Sequence, residues 1–195
     1  MADNQISTNP SWKPCALAII VKPGPSPRSH LILTQTRLVQ NPDYDPLYHM
    51  TQEIVGETLL PEESILAAVE RGVREECGAA LPEGKWQLIG VNLMPLGVAH
   101  CPVLHPGEQY LAIENLLTVQ SLGEPQPWLG FGVVALISDQ QWEPCWEGGD
   151  GEAAMGRWWS PAELAKAIES DPKGFMGLHL PVIRRVVDNL LASDV

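Results

Sequence analysis

From Ser64 to Cys77 the apolar residues Ile65, Val69, Val73 and Cys77 recur every four positions, and Leu66 widens the stripe. Polar Glu70, Arg71, Arg74 and Glu75 fall between them, so the segment can bury one side only as an amphipathic helix. Pro61 suits the entry, Ser64 the N-cap, and Gly78 a left-handed residue past the C-terminus. The flanking sequence has a different period. Lys13 to Lys22 (KPCALAIIVK) is a strand-compatible run stopped by Pro23, Gly24, Pro25 and Pro27, and Ser29 to Thr36 (SHLILTQT) reads as its hairpin partner. Asn41 to Pro46 is a loop by composition, and Met50 to Gly56 predicts another short strand. Further strands are expected at Trp86 to Met94, Tyr110 to Val119 and Gly130 to Ser138. Ser160, Pro161 and Glu163 open a helix that runs to about Glu169, and Leu180 to Leu191 forms a last amphipathic helix. Clustered strands with a few helices predict a mixed sheet covered by helices. The expected organisation is one α/β domain over residues 13–195, behind a flexible segment 1–12.

Composition narrows the partners. The 195 residues are 45% hydrophobic and 18% charged, too apolar for a disordered chain. Gly and Pro, 17 and 18 residues, exceed the usual combined share of about 12%, which predicts many turns. Twelve Lys and Arg against 24 Asp and Glu give −12, a field that repels nucleic-acid polymers and anionic membrane surfaces. The longest apolar runs, Ala16 to Val21 and Val133 to Ile137, are strand-sized and far short of a membrane span. Met1 to Lys13 is polar where a signal peptide needs an apolar stretch, so the expected location is cytoplasmic. Cys15, Cys77, Cys101 and Cys145 lie far apart, which predicts reduced thiols, with Cys77 in the core. His100, Cys101 and His105 share a segment but lack a second ligand pair at zinc spacing. Trp128 and Trp142 adjoin loops and are candidates to stack a base; Trp158 and Trp159 suit a strand–helix corner.

The stretch Gly56 to Ala79 reads GETLLPEESILAAVERGVREECGA. It resembles the Nudix box, whose pattern is Gly, five residues, Glu, seven residues, then Arg-Glu-apolar-any-Glu-Glu-any-Gly-apolar. Anchored on Arg71, the pattern is met by Glu63, Val73, Glu75, Glu76 and Gly78, with Ala79 a weak fit at the last place. Two positions depart from it. The opening Gly falls on Glu57, one residue after Gly56, and the Glu expected after Arg71 is Gly72, normally a principal metal ligand in that family.

The resemblance implies a Nudix-type α/β/α sandwich with a mixed, curved sheet. It implies hydrolysis of a pyrophosphate bond in a small nucleoside-diphosphate-linked substrate, assisted by Mg²⁺, or Mn²⁺ in its place. Glu75 and Glu76 are then metal ligands and catalytic carboxylates, and the Gly56 carbonyl is a further ligand. Positions 72, 75 and 76 share a helical face, and hard cations prefer such oxygen donors. With Gly72 the shell has a gap, for which Glu53, Glu57 and above all Glu152, in the loop Glu147 to Glu152, are candidates. Glu152 is also the candidate catalytic base, and Arg71 braces Glu63. Gly72 costs the helix about 1 kcal/mol relative to Ala, which suggests room for backbone or ligand. The alternative is a Nudix-fold module that binds a nucleotide or a partner protein without turning it over. Homodimers are common in the family; the Tyr110 to Val119 and Val133 to Ile137 runs are interface candidates, with core strands the default reading.

Overall fold

The computed structural model describes residues 13–38, 50–81, 87–88, 94–97, 128–176 and 179–193. In chain order the strands are β1 (Lys13–Pro23), β2 (His30–Arg37), β3 (Gln52–Glu53), β4 (Val55–Thr58), β5 (Gln87–Leu88), β6 (Met94–Gly97), β7 (Trp128–Leu136) and β8 (Ala153–Trp159). Helix α1 (Ile65–Cys77) lies between β4 and β5, and α2 (Pro161–Ser170) and α3 (Leu180–Ser193) follow β8. The central strand β1 pairs antiparallel with β2 and β4 and parallel with β7; β8 and β3 extend the sheet beyond β2, while β5 and β6 flank β7.

Alternation along β1 assigns the two faces. Cys15, Leu17, Ile19 and Val21 pack with Leu164 and Ile168 of α2 and with Val182, Ile183 and Val187 of α3. Ala16, Ala18 and Ile20 pack on the opposite side with Ala68, Val69, Val73 and Cys77 of α1. The result is the expected α/β/α layering, with one helix on one face and two on the other.

The caps read from the sequence are present. The Ser64 side chain accepts from Ala67 N–H, and Gly78 closes α1 at φ 61°. Ser160 and Glu163 form the reciprocal box at the start of α2. Three expectations change. Leu66 is 43% exposed, and the buried stripe runs instead through Ala68, Gly72 and Glu76 beside Val69, Val73 and Cys77. The run Met50 to Gly56 is broken at Ile54, whose N–H donates to His179 Nδ1 at 3.1 Å rather than to a neighbouring strand. Trp142 is buried, donates to the Ala80 carbonyl and packs edge-on against Trp158, so its ring is part of the core and not a free stacking platform. Val133 and Ile137 are core residues of the α1 face, as in the default reading. Segment 1–12, Tyr110 to Val119, His100, Cys101, His105 and most of Trp86 to Met94 lie outside the described residues. Among the described residues no helix is long and apolar enough to cross a membrane. Cys15 and Cys77 are buried free thiols, and burial pushes Cys15 up to about 12.

Two predictions follow from this packing. A Cβ at Gly78 would collide with the Cys145 carbonyl, and the left-handed backbone adds to the strain. Gly78→Ala should therefore lower stability by more than about 1 kcal/mol, read from the urea midpoint; an unchanged midpoint would contradict it. His179 is buried, and desolvation, with the Arg37 charge adding, lowers its imidazole from the usual 6.5 to about 3. The folded value lies below the unfolded one, so this contribution is complete above pH 6.5 and is lost as pH falls towards 3. The stability difference between wild type and His179→Asn should narrow below pH 6.5, by up to about 1.4 kcal/mol per pH unit. Parallel pH profiles would contradict this.

Candidate functional site

The site is built where β4 meets α1. Glu57 pairs with Ala16 and Val55 with Ala18, both on the α1 side of β1, so alternation turns Val55 and Glu57 towards the helix. Gly56 faces the other way, against Leu17 and the His179 ring. Leu59 N–H donates to the Pro14 carbonyl at 2.9 Å, which assigns the ladder bonds to the odd positions of this segment. The backbone groups of Gly56 consequently point away from β1. Its N–H donates to Glu76 Oε1 at 3.1 Å, and its carbonyl shares that side of the strand.

Glu76 is only 6% exposed, and both its oxygens are held. Gln35 Nε2 donates to Oε2, opposite the bond from Gly56. Burial lifts the Glu76 carboxyl well above the usual carboxylate range; the Glu53 charge raises it further, while Gln35 and Gly56 pull it back. Glu75, the next residue back, sits at the rim with its side chain 45% exposed. The shared face expected for positions 72, 75 and 76 is thus split, with Gly72 and Glu76 inside and Glu75 at the edge.

Arg71 ties the site together. Its Nε and Nη2 donate to the two Glu63 oxygens, each at 3.0 Å, which is the brace anticipated from the sequence. Nη2 also donates to the Thr58 carbonyl, and Nη1 reaches Glu57 Oε2 and, at 3.3 Å, Glu75 Oε2. Glu63 is held below the usual carboxylate range by Arg71 and by Leu60 N–H. Glu57 is raised instead, because burial and the nearby Glu75 outweigh the pull of Arg71.

Gly72 has a steric reason. A Cβ there would overlap Glu57 Cγ and approach Val55 Cγ1 to 3.0 Å, so only glycine lets β4 lie this close to the helix. Glu152 is exposed just before β8. Its N–H donates to Asp150 Oδ1, its carbonyl accepts from Leu38 N–H, and Asp150 N–H donates to the Glu75 carbonyl. The loop thus caps the end of α1, but among the described residues no contact joins the Glu152 carboxylate to Glu75 or Glu76. Glu53 is buried and accepts from Arg37 Nη1 at 3.3 Å, close enough for its charge to act on Glu76. Sequence reading missed Gln35. Its signal was parity: Gln35 lies two residues beyond Leu33, a core residue of the α1 face, so a polar group was due on a buried face.

Among the described residues no three His, Cys, Asp or Glu side chains stand ready around one point, and Arg71 Nη1 lies between Glu57 and Glu75. The donor set nevertheless fits a hard cation in kind. It consists of carboxylate and carbonyl oxygens, and the most exposed donor, Glu75, is held by Arg71 Nη1 at 3.3 Å.

No protein-family model matches the sequence, and no curated protein matches it. Solved structures do. The Nudix hydrolase RenU of M. smegmatis superposes with a TM-score of 0.54 at 14% identity, over 94% of this chain and 88% of that one. An Ap4A hydrolase of C. elegans gives 0.53 at 11%, over 92% and 98%. The NUDIX domain of Shewanella oneidensis NrtR, complexed with ADP ribose, gives 0.50 at 14%, over 92% and 89%. The chain spans 44% of a MutT/nudix family protein from Enterococcus faecalis. At such identities the likeness is one of fold, and with the box segment folded as loop and helix at its centre the chain has the Nudix fold.

Proposed function

We propose that this protein hydrolyses a pyrophosphate bond in a small nucleoside-diphosphate-linked compound, with a divalent cation, Mg²⁺ or Mn²⁺, held at Glu75, Glu76 and the Gly56 carbonyl. The observation that carries this reading is the meeting of Glu76, Glu75 and Gly56 at the β4–α1 contact of a Nudix fold. The substrate class is supported by two fold neighbours, one an Ap4A hydrolase and one complexed with ADP ribose.

The bound cation would supply charge neutralisation at the phosphates and a more acidic water. The chain supplies position. Gln35 and Gly56 N–H lock the Glu76 carboxylate against rotation, so its ligating geometry is set before any substrate arrives. Glu75 sits at the exposed rim, where it can reach a cation shared with substrate phosphates. Arg71, anchored on Glu63 and Thr58, holds the loop between β4 and α1 in place. Glu152, on the loop bonded to the end of α1, is the candidate base that takes the proton from the attacking water. The negative charge of the chain is compatible with an anionic substrate because a cation at the site reverses the local field. The reading carries a cytoplasmic location and no nucleic-acid polymer or membrane as partner, and it leaves room for a homodimer.

A second reading, a module that binds the nucleotide without turnover, is favoured by Gly72 alone, since it removes a carboxylate from the helix. A phosphorus NMR time course with Mg²⁺ and ADP-ribose, dinucleoside polyphosphates, nucleotide sugars and nucleoside triphosphates separates the two. Wild type should consume at least one compound, EDTA should stop it, and Glu75→Gln should slow it at least roughly tenfold. A raised melting temperature with ADP-ribose and no turnover of any compound would overturn hydrolysis in favour of binding.

A further inference from the structure

We infer that Glu57, on β4, supplies the carboxylate that α1 lacks at Gly72, so that the two departures from the box are a single exchange of Gly and Glu across one contact. The inference rests on the reading above, in which a divalent cation binds at the Glu75–Glu76 face.

Space is the first argument. Glu57 faces α1, and its Cβ lies 3.3 Å from where a Cβ on Gly72 would be, with its Cγ closer still. The methylenes of Glu57 therefore fill the volume that a side chain on Gly72 would enter. A Glu at both positions would not fit. A Glu at either one enters the same gap, from the strand or from the helix.

Placement is the second. Glu57 Oε2 and Glu75 Oε2 accept from the same Arg71 nitrogen, so the two carboxylates flank one point. Glu57 from the strand and Glu75 from the helix thus flank Arg71 Nη1, and Glu76, the next residue along α1, is turned inward beside them. A divalent cation held there would take the place of Arg71 Nη1 between the two carboxylates, leaving the guanidinium its bonds to Glu63 and Thr58. Glu152 is exposed on the loop that caps the end of α1, with no hydrogen bond to Glu75 or Glu76 among the described residues, and Glu53 is paired with Arg37.

The test is a titration with Mn²⁺ alone, following the free-ion EPR signal, on wild type, Glu57→Gln, Glu57→Gly and the double variant Glu57→Gly/Gly72→Glu. Circular dichroism establishes that each is folded. Wild type should bind Mn²⁺, Glu57→Gln should weaken binding at least roughly tenfold, and the double variant should recover most of what Glu57→Gly loses. Gly72→Glu alone should melt well below both wild type and the double variant, because its side chain collides with Glu57. Wild-type affinity in Glu57→Gln, or no Mn²⁺ bound by wild type, would overturn the inference. If the double variant fails to fold, Glu57→Gln decides. Binding of Mn²⁺ that depends on Glu57, without turnover of any nucleotide, would uphold this inference and remove the hydrolase reading. Full turnover by Glu57→Gln would do the reverse.

Discussion

A carboxylate taken out of water has to be met by donors on both oxygens, or it costs more than a helix contact can return. Glu76 meets that requirement through Gly56 N–H on β4 and Gln35 on β2, and in doing so it fixes α1 against two strands at once. The rotation of the helix about its own axis follows. With Glu76 turned inward, Gly72 one turn earlier must face β4, Val69 and Val73 must enter the core, and Glu75 must come out at the rim.

The surrounding contacts serve the same placement. Gly72 admits β4 and the Glu57 side chain close to the helix. Arg71, on the next position, clamps Glu63 and the Thr58 carbonyl and so fixes the connection between β4 and α1. At the other end, Asp150 and Cys145 N–H groups bond to the Glu75 and Cys77 carbonyls, which satisfies the last turn of α1 and brings the Glu152 loop over it. On the opposite face of β4, His179 holds Ile54 N–H and packs against Gly56. The site is thus carried by a strand and a helix whose backbone groups are bonded to their neighbours on several sides.

Much of this was legible in the sequence, and the reasons are local. Helix α1 and the start of α2 announce themselves because caps and period are properties of neighbouring residues: Ser64, Gly78, and Ser160 with Glu163. The Arg71–Glu63 brace follows from the motif spacing. What the sequence did not disclose depends on partners far along the chain. The inward turn of Glu76 needs Gln35, which is 41 positions away. The break at Ile54 needs His179, and the burial of Trp142 needs the Ala80 carbonyl and the Trp158 ring. Gly72 and Glu57 each read as a defect when taken alone, and only the packing of β4 on α1 makes them complementary.

Crystals grown with Mn²⁺ and measured at the manganese absorption edge would test the central claim most directly. The account predicts an anomalous peak among the carboxylates of Glu57, Glu75 and Glu76, near the Gly56 carbonyl, with the Glu57 side chain swung away from Arg71. A peak ligated by Glu75 and Glu76 with Glu57 still bound to Arg71, or no peak at the β4–α1 contact, would contradict it.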